Sequence, residues 1–118
     1  MKTLVLGAST NPTRYSYLAI QKLVAHQQQV VAIGLKPGTV AGVKIETEKI
    51  SWDDIDTVTL YLNPLRQKDY YEYIISLKPR RVIFNPGAEN PEFFALLNEN
   101  NIKCETACTL VLLSVNEY

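Results

Sequence analysis

The sequence contains few of the residues on which metal, redox and disulfide sites depend. It has two cysteines and one histidine. Cys104 and Cys108 do not have the C-x-x-C spacing of redox and zinc sites, so we expect two reduced, buried thiols. His26 falls at the end of a predicted helix among glutamines, where we expect it to be exposed and without a catalytic role. A metal centre or a disulfide framework is therefore not expected.

Net charge and long apolar runs are also absent. The 12 basic and 12 acidic residues cancel, and no basic cluster is present, so nucleic acid is not expected as a partner. No stretch approaches the roughly 20 apolar residues of a membrane helix. The N-terminus shows no signal-peptide pattern. We expect a cytoplasmic protein that does not bind membranes.

The sequence does contain a regular alternation of strand-like and helix-like segments over 118 residues, the length of one domain. Apolar runs predict five strands, at 2–6, 30–33, 57–62, 81–84 and 102–106. The segment 34–42 is predicted to be a long turn and 43–45 a short extended edge piece.

Helices are predicted between these strands. The first is expected to run from about Arg14 to Gln27, and a short closing helix covers 107–115. Asn63-Pro64 and Asn90-Pro91 each place an N-cap residue before proline at the first helical position, which is the preferred start of a helix. The alternation predicts an α/β fold with a doubly wound, mainly parallel five-stranded sheet and helices on both faces, in a single domain over 1–118.

The loop that follows the first strand, Gly7-Ala8-Ser9-Thr10-Asn11-Pro12, is the strongest functional signal. Its small residues lead into a helix N-terminus, and the hydroxyls of Ser9, Thr10 and Ser16 with the charge of Arg14 suit a phosphate. A plain strand-to-helix turn is the alternative. The G-x-G-x-x-G fingerprint of NAD sites is absent, because Ser9 and Pro12 occupy the positions of its later glycines.

Two other loops at strand ends carry weaker signals. Lys36 stands where NAD sites place an acid, which favours a phosphate on or near the ribose, as in coenzyme A or NADP; a lysine in water is the alternative. In the loop 85–90, Gly87 would let a ligand approach the backbone. Glu89 is the one carboxylate expected near the cleft, and without a second acid or a histidine an acid/base pair is not supported.

Three segments together, 7–17, 85–89 and Cys108-Thr109-Leu110-Val111, resemble the small stand-alone CoA-binding domain proteins. These are similar to the nucleotide-binding domain of the succinyl-CoA synthetase alpha subunit. The resemblance covers nearly the whole chain. It implies a Rossmann-like sheet that holds coenzyme A across its strand ends.

The resemblance also implies the contacts of each part of the coenzyme. Gly7, Ala8 and Ser9 would meet the pyrophosphate, and Lys36 would lie near the adenosine 3′-phosphate. Asn63 and Pro64 would lie near the adenine or ribose, and Gly87 and Cys108 toward the pantetheine. The full predicted set is Gly7, Ala8, Ser9, Thr10, Pro12, Arg14, Ser16, Gly34, Lys36, Asn63, Pro64, Asn85, Pro86, Gly87 and Cys108.

These observations lead to one hypothesis and two alternatives. The leading hypothesis is a binding protein for coenzyme A or an acyl-CoA without catalysis of its own, based on the first loop, Lys36 and the absent acid/base set. The resemblance implies binding and no reaction, since the synthetase's phosphorylated histidine belongs to a domain that is not part of this chain. The first alternative is an NADP-binding or acyl-transfer enzyme that uses Glu89 or Cys108. The second is a regulatory subunit whose nucleotide site is vestigial.

Overall fold

The computed structural model describes residues 2–118, which form a seven-stranded sheet in the order β3-β4-β2-β1-β5-β6-β7. The strands are β1 (Lys2–Ala8), β2 (Gln29–Gly34), β3 (Gly38–Val40), β4 (Val43–Glu46), β5 (Ile55–Leu60), β6 (Arg81–Phe84) and β7 (Lys103–Thr106). Adjacent strands are parallel except for β3, which pairs antiparallel with β4.

The predicted number of strands is wrong, although the mostly parallel α/β arrangement is confirmed. Both additional strands lie in or beside the segment predicted as a long turn. There, β3 and β4 form a hairpin through Ala41 and Gly42, and both of these residues have positive φ. The predicted edge piece 43–45 is most of β4, which pairs with β2. The three-residue strand β3, in a glycine-containing segment, has too little periodicity to be recognised.

The helices are α1 (Tyr15–Ala25), α2 (Pro64–Gln67), α3 (Tyr71–Leu77), α4 (Pro91–Glu99) and α5 (Thr109–Ser114). The predicted Asn-Pro starts are confirmed, because Asn63 and Asn90 accept hydrogen bonds from the amides of Arg66 and Phe93. The helix predicted after Asn63 is broken by a 3₁₀ turn at Lys68–Tyr70. No helix within residues 2–118 is both long and apolar enough to span a membrane.

Alternating side chains of β1 divide the core between the two faces of the sheet. Leu4 and Leu6 pack with residues of α3 and α4, whereas Val5 packs with residues of α1 and α5. All three side chains are buried. Because both faces of the central strand are covered, its run of apolar residues is continuous.

The chain builds one half of the sheet on each side of β1. It first adds β2 and the hairpin on one side, then returns and adds β5, β6 and β7 on the other. At such a reversal of strand order, the loops after neighbouring strands diverge and leave a crevice at the carboxyl ends of the strands.

Candidate functional site

A cleft of about 910 Å³ lies at this crevice. Its lining comes from the carboxyl ends of β1 and β2, from the loops after β1, β2, β5 and β6, from the first turn of α1, and from α2 with the 3₁₀ turn that follows it. Eleven of the predicted site residues line it: Gly7, Ala8, Ser9, Thr10, Arg14, Ser16, Gly34, Lys36, Asn63, Pro86 and Gly87. The other four, Pro12, Pro64, Asn85 and Cys108, lie outside the lining.

The first loop is shaped by hydrogen bonds between its own residues. Ser9 Oγ accepts from the amide of Asn11 at 3.0 Å, and Asn11 Oδ1 accepts from the amide of Thr13 at 3.0 Å. The amide of Arg14 then donates to Asn11 O at 3.0 Å. These contacts satisfy the donors at positions 11, 13 and 14 and turn the chain into α1.

Other donors of this loop have no acceptor in the protein. Among residues 2–118, no backbone or side-chain acceptor receives the amides of Ser9, Thr10, Tyr15 or Ser16. Helix α1 has Arg14 as its N-cap, no side-chain cap and no acidic residue in its first turn. A helix N-terminus carries partial positive charge. Arg14 adds a full positive charge at the same place, and both charges favour the binding of an anion.

Gly34 brings the ends of β1 and β2 together under this loop. A Cβ at Gly34 would lie 2.2 Å from Ala8 O and 3.0 Å from the side chain of Ile45. The position therefore requires glycine for strand packing, whether or not a ligand is bound.

Three cations line the cleft without a carboxylate partner. Arg14, Lys36 and Arg66 are exposed and take part in no ion pair among the described residues. Asp69 is the one acidic residue in the lining. The cleft is consequently positive although the chain as a whole is neutral.

Arg66 was missed by the sequence analysis. The available signal was its position, two residues after Pro64 in the first turn of a helix that follows a strand directly. Such a residue lies at the carboxyl edge of the sheet, where ligands bind.

Asn85 lies beneath the cleft, and its side chain is fully used by the protein. Its Nδ2 donates to Thr59 Oγ1 at 2.6 Å and to Leu60 O at 2.9 Å, while its Oδ1 accepts from the amide of Thr109 at 2.9 Å. The residue is 1% exposed. It joins β5, β6 and the start of α5.

The residues proposed for chemistry lie outside the cleft lining. Glu89 is exposed, and its Oε1 accepts from the amide of Gly87 at 2.8 Å, so it shapes the turn. Cys108 is half-buried at the N-cap of α5. Tyr61 does line the cleft, but burial raises its pKa to about 12, which keeps its hydroxyl protonated near neutral pH.

The remaining potentially reactive side chains, Cys104 and His26, also lie outside the cleft lining. Cys104 is a free, half-buried thiol, and burial raises its pKa to about 11. No group of three potential metal ligands occurs among residues 2–118. His26 is exposed on α1's C-terminal side, and its Nδ1 is 2.8 Å from Lys22 O.

The sequence matches a family of known ligand class. The model of the family described as "CoA binding domain" matches residues 1–114. The chain therefore belongs to the CoA-binding domain family. No curated protein matches the chain.

Solved structures show the same fold. One, titled as the crystal structure of an uncharacterized protein, is 48% identical with a TM-score of 0.96; the match covers 99% of this chain and 97% of that one. A Thermus thermophilus protein, cell-free ID.343, is 19% identical with a TM-score of 0.86, covering 99% and 90%. A hypothetical protein from Pyrococcus horikoshii OT3 is 23% identical with a TM-score of 0.83, covering 92% and 78%. The last two show similarity of fold alone.

Proposed function

We propose that this protein binds coenzyme A or an acyl-CoA in the cleft, with the phosphates on the first loop, and catalyses no reaction itself. The observation that carries the proposal is the start of α1. Its free amides, its missing cap and the cation at Arg14 together form an anion site. Membership of the CoA-binding domain family supports the identity of the anion.

The adenosine end of the ligand is expected beside Lys36. Gly34 ends β2, and the segment Gly34-Leu35-Lys36 lines the cleft without a carboxylate that could accept hydrogen bonds from a ribose. An unpaired lysine there favours a ribose that carries a phosphate, as the coenzyme does. Arg66 lines the cleft from α2, which follows β5, and adds a third positive charge. These charges favour a ligand with several phosphate groups.

Binding can be tested by titration calorimetry with coenzyme A, dephospho-CoA and NAD as probes. We expect coenzyme A to bind about tenfold more tightly than either of the other two, because each lacks the 3′-phosphate and so loses a charge-assisted contact with Lys36. Absence of heat and of a thermal shift with coenzyme A would contradict the proposal.

The absence of catalysis can be tested with the same protein. Acetyl-CoA incubated with it and followed by mass spectrometry should remain intact, since the cleft lining contains one carboxylate and neither a histidine nor a cysteine. Turnover that disappears in Cys108→Ala or Glu89→Gln would show that an enzyme has been mistaken for a binding protein.

A further inference from the structure

A buried glutamine lies between two of the loops that line the cleft. Gln67 ends α2 and is 0% exposed. Its Nε2 donates to Leu62 O at 2.8 Å and to Ala88 O at 2.7 Å. Leu62 and Ala88 both line the cleft, one in the loop after β5 and the other in the loop after β6. One side-chain amide therefore holds two separate parts of the site.

The orientation of this amide is determined by a chain of hydrogen bonds. Tyr71 donates its hydroxyl proton to Glu92 Oε1 at 3.0 Å, so its oxygen accepts from Asn90 Nδ2 at 2.8 Å. Asn90 Nδ2 also donates to Gln67 Oε1 at 2.9 Å. Since Oε1 of Gln67 must accept, its Nε2 faces the two carbonyls.

Few other hydrogen bonds join these two loops. The ladder between β5 and β6 ends at the pair Leu60 and Phe84. Asn85 reaches back to Leu60 O, at the end of the strand. Within residues 2–118, the hydrogen bonds that reach the lining residues Leu62 and Ala88 from the opposite loop pass through Gln67.

Gly87 shows why this connection matters for a ligand. It has a φ of +91°, and no heavy atom lies within 4 Å of the position that its Cβ would take. Side-chain packing therefore does not hold Gly87 itself, whose amide donates to Glu89 Oε1. The neighbouring Ala88 is buried, and its carbonyl accepts from Gln67.

We propose that Gln67 is a positioning residue for the ligand cleft: it fixes the separation of the Leu62 and Ala88 segments and thereby the affinity for the part of the ligand held between them. The inference rests on the proposed coenzyme A site. It assigns Gln67 no contact with the ligand, because the side chain is fully buried and its hydrogen-bonding groups are satisfied by protein.

The test compares Gln67→Met with Thr57→Val as a matched control. Methionine has a side chain of similar length to glutamine but cannot form the hydrogen bonds of the amide group. Thr57 is also 0% exposed, and it lies near the start of β5, away from the cleft. Its replacement by valine removes the acceptor of a buried hydrogen bond from Arg81 Nε. Measured on folded protein, coenzyme A should bind Gln67→Met about five- to tenfold more weakly, because binding loses a free energy equal to that of about one hydrogen bond. Thr57→Val should bind like the unmodified protein.

A second variant applies if Gln67→Met does not fold. Asn90→Asp keeps a side-chain cap for the amide of Phe93 but replaces the donor to Gln67 and Tyr71 by an acceptor. It should weaken coenzyme A binding about threefold.

A ligand-free measurement separates positioning from stability. The backbone amide signals of Leu62, Gly87 and Ala88 should shift in Gln67→Met, or in Asn90→Asp, and stay in place in Thr57→Val. Unchanged signals, or coenzyme A affinity within twofold of the unmodified protein, would overturn the inference. If the unmodified protein does not bind coenzyme A, the proposed function fails, and the amide signals still decide the role of Gln67.

Discussion

Helices α1, α2 and α4 all begin near the cleft, but they satisfy their N-termini differently. Asn63 and Asn90 cap α2 and α4 with their own side chains, and Gln67 and Asn90 complete a hydrogen-bonded network behind them. We call residues 63–67 and 85–90 the asparagine side. At α1, the cap position is Arg14 and the first amides have no protein acceptor in the described chain. We call residues 7–16 the first-loop side.

This difference is our basis for assigning the Asn-Pro motifs to the fold and the first loop to the proposed ligand. The first amides of a helix have no partner within the helix, and a side-chain cap, water or a ligand satisfies them. On the asparagine side, the conspicuous Asn-Pro pairs are explained by capping. On the first-loop side, the missing cap supports the proposed anion site. The ligand's pyrophosphate is therefore expected on the first-loop side.

The largest expected effect concerns how each side is packed. Gly34→Ala, under the first loop, should lower the free energy of unfolding by about 3 kcal/mol, because its Cβ would lie 2.2 Å from Ala8 O. Gly87→Ala, on the asparagine side, meets open space and should cost roughly 1 kcal/mol for its positive φ. Urea unfolding followed by Trp52 fluorescence measures both. Equal decreases in the free energy of unfolding of the two variants would show that the two sides are not packed differently.

The next effect concerns the cap itself. Arg14→Asp places a good N-cap residue and a negative charge at the start of α1, so it should raise the free energy of unfolding by about 1 kcal/mol. The same change should weaken coenzyme A binding by at least about tenfold, because a cation is lost and a charge of the ligand's own sign is added.

Two controls accompany this variant. Lys22→Asp reverses an exposed charge on the same helix away from the cleft lining and should leave binding within about twofold. Asn63→Asp keeps a capping side chain on the asparagine side and adds a negative charge there. A variant Arg14→Asp that is stabilised and still binds coenzyme A normally would remove the main argument for the phosphate position.

The smallest effect concerns the asparagine side. Asn63→Ala removes the acceptor for the amide of Arg66 and should cost about 1 kcal/mol of folding free energy. Its effect on coenzyme A affinity should be about twofold or less, since the cap acts within the protein. A loss of affinity larger than that of Arg14→Asp would show that Asn63 contacts the ligand directly.

Local chemistry made parts of this arrangement predictable from sequence. The two Asn-Pro starts, the apolar central strands and the position of the first loop depend on residues close together in the chain. The hairpin of β3 and β4 was missed because its strands are short. Gln67 could not be identified as buried, because its partners at Leu62, Ala88 and Asn90 come together only in the folded chain.

The phosphate position is tested most directly by titrating ¹⁵N-labelled protein with coenzyme A and following the backbone amide signals. Bound phosphate should shift the amides of Ser9, Thr10, Tyr15 and Ser16 the most, because they are the free donors of the first-loop side. Amides that are already bonded within the protein, such as those of Arg66 and Phe93, should shift less. Binding that leaves the first-loop amides unchanged and shifts those at Arg66 and Phe93 would contradict the account.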